Sequence, residues 1–218
     1  MTVARGLLPA LAALLLTAGA VAQPVADPGS DAPEPTFARS RTADLPSSYP
    51  EAIRTWRGVS DVNAWIGARF EYDFQRAMRL SENQRARGPQ FRIHEPVDFF
   101  GQPSGVCVDL ARFAVETLRT VAPTVNARYL MIEFDPTVVS GNTLRRHWLV
   151  QYEADGRLYF FADSKRPGHV AGPYDSTSQF IEQYARYRQR PIVSYRILST
   201  HERTLRQMVP RAAREAGT

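Results

Sequence analysis

Along the stretch from Cys107 to Asp163 the spacing of apolar residues changes from helical to alternating, and that change limits what the chain can fold into. Cys107, Leu110, Ala111, Ala114 and Leu118 fall on one face of a helix, while Arg112, Glu116 and Arg119 face elsewhere. The turn-forming run Gly101-Gln102-Pro103-Ser104-Gly105 leads into it. Beyond it, Ala127 to Phe134, Arg146 to Glu153, Arg157 to Asp163 and Ile192 to Leu198 are rich in Tyr, Phe, Ile and Val and read as strands. Upstream, Ser60 followed by Val62, Trp65, Ile66 and Phe70 reads as a capped amphipathic helix, preceded by a shorter one around Glu51 to Arg57. The polar stretch Ser81 to Gln90, with Gly88-Pro89, reads as a loop. Amphipathic helices are expected near Ser178 to Arg188 and Glu202 to Arg214. Helices first and strands second predict an α+β fold, with the Cys-bearing helix packed centrally on an antiparallel sheet.

Residues ahead of the fold have a different character. Arg5, the apolar run Leu7 to Leu16 and the small residues Ala20-Val21-Ala22 have the form of a secretory signal peptide over residues 1–22. That run is shorter than the roughly 20 residues a membrane span needs, so a soluble product outside the cytoplasm is expected, periplasmic or secreted. Residues 23–48 carry Pro24, Pro28, Pro33, Pro35 and Pro46 among small and polar residues and read as a flexible linker, leaving residues 49–218 as the folded domain. With 44% hydrophobic and 22% charged residues, that domain can build a core. The formal charge of +5 rests on arginines scattered along the chain, Lys165 being the only lysine, so no basic stripe points to nucleic acid.

The single cysteine is the most informative count. Oxidising compartments use cysteines in pairs, yet Cys107 has no second cysteine to pair with inside the chain. It is then a buried small hydrophobe, an interchain link or a nucleophile. A place in the first turn of a helix, where free N–H groups and the helix dipole favour a thiolate and a developing oxyanion, favours the nucleophile.

A base must accompany it. Of His94, His147, His169 and His201, His147 opens the strand pattern His147-Trp148-Leu149-Val150, and the next strand ends at Asp163. If the loop between them is Ala154-Asp155-Gly156, Glu153 lies opposite Arg157, Gln151 opposite Tyr159, Leu149 opposite Phe161 and His147 opposite Asp163. A two-residue loop would set Glu153 opposite Leu158 and Trp148 opposite Asp163, turning every side chain over. The first register predicts an imidazole held by a carboxylate, the arrangement that orients a general base.

Cys107 at a helix start, His147 on a strand and Asp163 on the next resemble the transglutaminase-like superfamily of papain-type fold, most closely the bacterial transglutaminase-like cysteine peptidases. The resemblance spans about Val62 to Gly168 and rests on Val62-Asn63 with Phe70 and Tyr72, Gly105-Val106-Cys107-Val108-Asp109-Leu110-Ala111, the strand Ala127 to Phe134, His147-Trp148-Leu149-Val150 and Phe160-Phe161-Ala162-Asp163. It implies Cys107 as nucleophile, His147 as general base and acid, and Asp163 as its orienting partner. Bacterial relatives often have an acid where Val106 stands and an upstream Trp where this chain offers His94. Gln102 is the candidate side-chain donor to an oxyanion, and Asp109 fits the family's acidic position and supports helix N-terminal geometry.

The expected activity is acyl transfer: Cys107 attacks an amide carbonyl, His147 protonates the leaving amine, and water resolves the thioester as a peptidase or amidase would. Transfer to an amine, as in a crosslinking transglutaminase, uses the same residues, and a non-catalytic binding module retaining the fold, docking through Tyr152, Tyr159, Phe160 and Phe161, is the alternative from another class. No cofactor is called for, and no metal, because His147 has no histidine or acid at zinc-ligand spacing. Expected partners are exported proteins or cell-wall peptides, with no nucleic acid and no membrane span after signal cleavage; oligomeric state is left open.

Overall fold

The computed structural model describes residues 45–85, 91–162 and 168–201. The signal peptide, the linker up to residue 44, Asp163 and the helix expected at Glu202 to Arg214 lie outside the described residues.

The first half is helical. Ser48 caps α1 (Tyr49–Thr55), its side chain accepting the Glu51 N–H at 3.4 Å. Helix α2 (Val59–Arg69) is capped at Gly58 instead of Ser60, because the Asp61 carboxylate reaches back to accept the N–H groups of Arg57 at 2.7 Å and Gly58 at 3.2 Å. There follow β1 (Glu71–Tyr72), α3 (Phe74–Arg79), α4 (Glu82–Arg85), α5 (Pro96–Gly101) and β2 (Ser104–Gly105), which runs parallel to β1. Helix α4 sits where a loop is expected. Its side chains are tied to the sheet: Gln84 Nε2 donates to Asn142 Oδ1 at 3.1 Å, and Asn83 Nδ2 donates to the Gly141 carbonyl at 2.6 Å.

Helix α6 (Cys107–Val121) carries the predicted stripe, with Leu110, Ala111, Ala114 and Leu118 wholly buried. Truncating Leu110 to Ala would cost about 2–5 kcal/mol in lost transfer free energy and residual cavity. A 3-10 turn (Pro123–Val125) then leads to β3 (Arg128–Val139), β4 (Asn142–Ala154), β5 (Arg157–Phe161), β6 (Ala171–Tyr174), α7 (Thr177–Arg188) and β7 (Ile192–Leu198). The five strands form one antiparallel sheet in the order β6-β5-β4-β3-β7. The chain is therefore α+β, with a central Cys-bearing helix on an antiparallel sheet.

Because strand side chains alternate, the sheet has two buried faces. Tyr129, Met131, Trp148, Val150, Tyr152 and Phe161 pack with α6. Leu130, Ile132, Phe134, Leu149 and Phe160 pack with Phe180, Ile181 and Tyr184 of α7, where Phe160 and Phe180 stack at 3.9 Å.

The hairpin between β4 and β5 corrects the expected register. Ala154 pairs with Arg157, Glu153 with Leu158, Tyr152 with Tyr159, Gln151 with Phe160 and Val150 with Phe161. The loop is the two residues Asp155 (φ 51°) and Gly156 (φ 70°), both left-handed, as the twist of a two-residue hairpin demands. A three-residue loop with Leu149 opposite Phe161 does not form. In the observed register Tyr152, Tyr159 and Phe161 all reach the α6 face, and Phe160 and Leu149 both reach the α7 face, so neither core is broken.

Candidate functional site

Cys107 is the first residue of α6, as expected, and is 7% exposed. The start of that helix is held by Asp109. One Asp109 oxygen accepts Arg76 Nε at 2.7 Å and the Val106 N–H at 3.0 Å; the other accepts Arg76 Nη2 at 2.8 Å and the His94 N–H at 2.9 Å. Asp109 is fully buried and Arg76 nearly so, a fork-to-fork pair whose remaining lone pairs go to main-chain donors. This one carboxylate ties α3, the segment before α5 and the entry to α6 into a unit. A Cβ on Gly105 would lie 3.0 Å from the Asp109 carboxylate and from the Phe99 ring, so the chain comes as close to that hub as a residue without a side chain allows.

Cys107 faces a cleft of about 50 Å³ between α3, α4 and the sheet. At roughly 10–15 Å³ of such space per water, it holds a few waters or the end of one side chain. Tyr72, Leu80, Ile93, Val106, Leu144 and Trp148 give it apolar walls, and Glu82, Arg145 and Arg146 line it too. The charges there are matched: Arg145 Nε lies 3.1 Å from Glu82, and Arg146 Nε donates to Glu133 at 2.8 Å. Burial alone would raise the Glu133 carboxyl, but hydrogen bonds from Ser194 and Arg146 together with the Arg146 charge outweigh it and hold it below the usual carboxylate range. Deeper on the same sheet face, burial pushes the Tyr152 hydroxyl up to about 12, with the neighbouring Tyr159 adding to the effect.

His147 is not in this cleft. The imidazole belongs to the opposite face of the sheet, fully buried, stacked on Tyr184 of α7 at 6.1 Å and beside Phe134 at 6.4 Å. Its cross-strand partner is Ile132, a member of the α7 core. Trp148, the next residue, takes the place facing Cys107. The sheet backbone therefore stands between the thiol and the imidazole, and the expected Cys107–His147 contact is not made. Parity along a strand is the reason: of two neighbouring residues only one can face α6. Gln102, the candidate oxyanion donor, caps the C-terminus of α5, is exposed, and does not line the cleft. Asp163 lies outside the described residues. His94 is half-buried with its ring edge-on to Phe99, and His201 lies against Tyr129.

Sequence reasoning anticipated the supporting role of Asp109 but missed its partner Arg76 and the cleft residues Arg145 and Arg146. The signal for Arg76 was the Asp73 N-cap, whose carboxylate accepts the Arg76 N–H at 2.8 Å and so opens α3. Chemically, the cleft joins a thiol at a helix start to an apolar slot with balanced charges at its rim. That arrangement can seat a side chain of an extended segment. Among the described residues, no histidine lines the cleft. Among the described residues, no group of three or more His, Cys, Asp and Glu side chains could hold a metal ion, and no helix is long and apolar enough to cross a membrane. A scan against protein-family models and a search of curated proteins both find no match to the chain.

Proposed function

We propose that this chain is an exported binding module with a transglutaminase-like architecture, whose cleft at the start of α6 takes an extended peptide segment and seats one apolar side chain against Trp148, Tyr72 and Cys107. The observation that carries this reading is the placement of Cys107 and His147 on opposite faces of one sheet. A Cys-His-Asp hydrolase needs the imidazole within hydrogen-bond reach of the sulfur, about 2.6–3.2 Å between donor and acceptor or looser in a resting enzyme, and a change of face is not a loosening. Binding needs only the cleft, its walls and its rim charges. Export is supported by the signal-like residues 1–22, and exported proteins or cell-wall peptides are the matching ligands.

The test compares wild type with Cys107→Ala on envelope proteins and on a library of immobilised peptides. The expected result is identical cleavage profiles, with peptide capture retained in Cys107→Ala and lost in Trp148→Ala. Cleavage products present with wild type and absent with Cys107→Ala would replace this reading with that of a thiol hydrolase.

A further inference from the structure

Of the charged side chains that line the Cys107 cleft, two are arginines and one is a glutamate. They are not held alike. Arg146 donates through Nε to Glu133, which does not line the cleft, and is committed to the sheet. Arg145 is paired with Glu82 by charge alone: its Nε lies 3.1 Å from a Glu82 oxygen, but that buried N–H is off the line of a hydrogen bond. Among the described residues no other group accepts from the Arg145 guanidinium, so its N–H donors are uncommitted.

Other arginines of the fold show the contrast. Arg76 spends Nε and Nη2 on the two oxygens of Asp109, and Nη2 also donates to the Arg92 carbonyl. Arg112 reaches Glu116 with Nε, the Ile93 carbonyl with Nη1 and Glu95 with Nη2. Both hold the fold together. Arg145 instead stands at a cavity wall with its side chain 35% exposed, and the planar fork that matches a carboxylate is left open. The start of α6 opens on the same cleft, and the 15-residue helix behind it adds positive potential there. Two guanidinium groups and a helix start against one glutamate favour an anionic group in the cleft over a cationic one.

We infer that the segment taken by the cleft carries a side-chain carboxylate two positions from its apolar anchor, and that Arg145 receives this carboxylate through its open fork. Two positions is the spacing at which side chains of an extended segment share a face, about 6.6 Å apart, so one enters the slot while the other meets its rim. Glu82 competes for the same guanidinium and restrains binding. The inference rests on the peptide-binding reading above and adds to it the class of peptide.

The test uses the full chain and a matched library of immobilised hexapeptides, acetylated and amidated at their ends. Each holds one Leu, Val or Phe among Ser and Ala, with Glu, Gln or Lys two positions from it. The readout is the ratio of capture between the Glu and Gln forms of one peptide, which a general loss of structure does not move, because it weakens both alike. Wild type is expected to favour Glu at least about tenfold, the low end for a charge-assisted contact, since the guanidinium is partly exposed. Arg145→Gln should bring the ratio to about one. Arg145→Lys keeps the charge without the fork and should retain less than about half of the wild-type ratio. Glu82→Gln removes the competing acid and should raise the ratio at least about twofold; this variant decides the matter if Arg145→Gln does not fold. Gln peptides with a free C-terminal carboxylate should bind no better than their amides. Equal capture of Glu and Gln forms, preference for Lys, a Glu preference that survives Arg145→Gln, a ratio that Glu82→Gln does not raise, or capture that follows the free C-terminus would each overturn this inference. Peptide binding itself would still stand if Trp148→Ala abolished that capture. No capture of any peptide by wild type would overturn both.

Discussion

Replacing Asp109 with Ala perturbs the cleft at its root. The fully buried carboxylate takes four N–H groups: two from Arg76, and one each from Val106 and His94. Its removal leaves the 8%-exposed Arg76 without that counter-charge, a change that costs about 3–5 kcal/mol when one member of a buried pair is lost. The Val106 N–H also loses its acceptor at the start of α6, in a position where a capping group is worth about 0.5–2 kcal/mol. These terms overlap, so about 3–5 kcal/mol is the expected total. In a domain of this size that lowers the melting temperature by roughly 2–4 °C per kcal/mol, or about 6–20 °C. Arg76→Met should cost a similar amount. The double variant Arg76→Met/Asp109→Ala should cost at least about 2 kcal/mol less than the two single losses added, because no buried charge is then left behind. Urea unfolding followed by tryptophan fluorescence measures all three. Alkylation of Cys107 should also quicken in Asp109→Ala, as the helix start loosens. A single-variant loss below about 1 kcal/mol, or additive losses in the cycle, would show that the carboxylate is not the hub described.

Other expectations follow from the same geometry. Gly105→Ala puts a methyl 3.0 Å from the Asp109 carboxylate and the Phe99 ring, and should cost about 1–3 kcal/mol in chemical denaturation. His147→Leu, an apolar replacement in the α7 core, should change the alkylation rate of Cys107 by less than about twofold across mildly acidic to neutral pH, whereas a thiolate–imidazolium pair would lose its acid-side advantage. Glu133 has a lowered carboxyl in the fold, so its contribution is present above the unfolded value of about 4.3 and is lost as pH falls through the folded value. Wild type should therefore lose more stability than Glu133→Gln between about pH 5 and the acid limb below 4, as read by melting temperature against pH.

The α+β order, α6 and β7 were legible in the sequence because each has a long, unambiguous pattern; β7 runs over Ile192–Leu198 as read. Helix α3 was not legible, since Phe74–Arg79 is too short for a periodic stripe. Helix α5 is equally short and is marked chiefly by Pro96 at its start. The facing of His147 failed for a subtler reason. Trp148, Leu149 and Val150 are all buried, because the sheet is covered on both sides, so alternation along β4 cannot say which face is which. Register then rested on the loop alone. Asp155-Gly156 is a strong two-residue hairpin signal, and a two-residue loop sets Trp148, not His147, opposite Asp163. The candidate nucleophile was legible from its count and its helix; its neighbours came from segments with no pattern to read.

The sheet that divides the two cores also divides the consequences of change. Substitutions in α7, at Phe180 or Tyr184, bear on the melting of the protein while leaving the thiol's surroundings untouched, whereas substitutions around Arg76 bear on both. Each side can drift under its own selection, so a lineage of such chains is free to rebuild what the groove accepts without renegotiating the layer behind it.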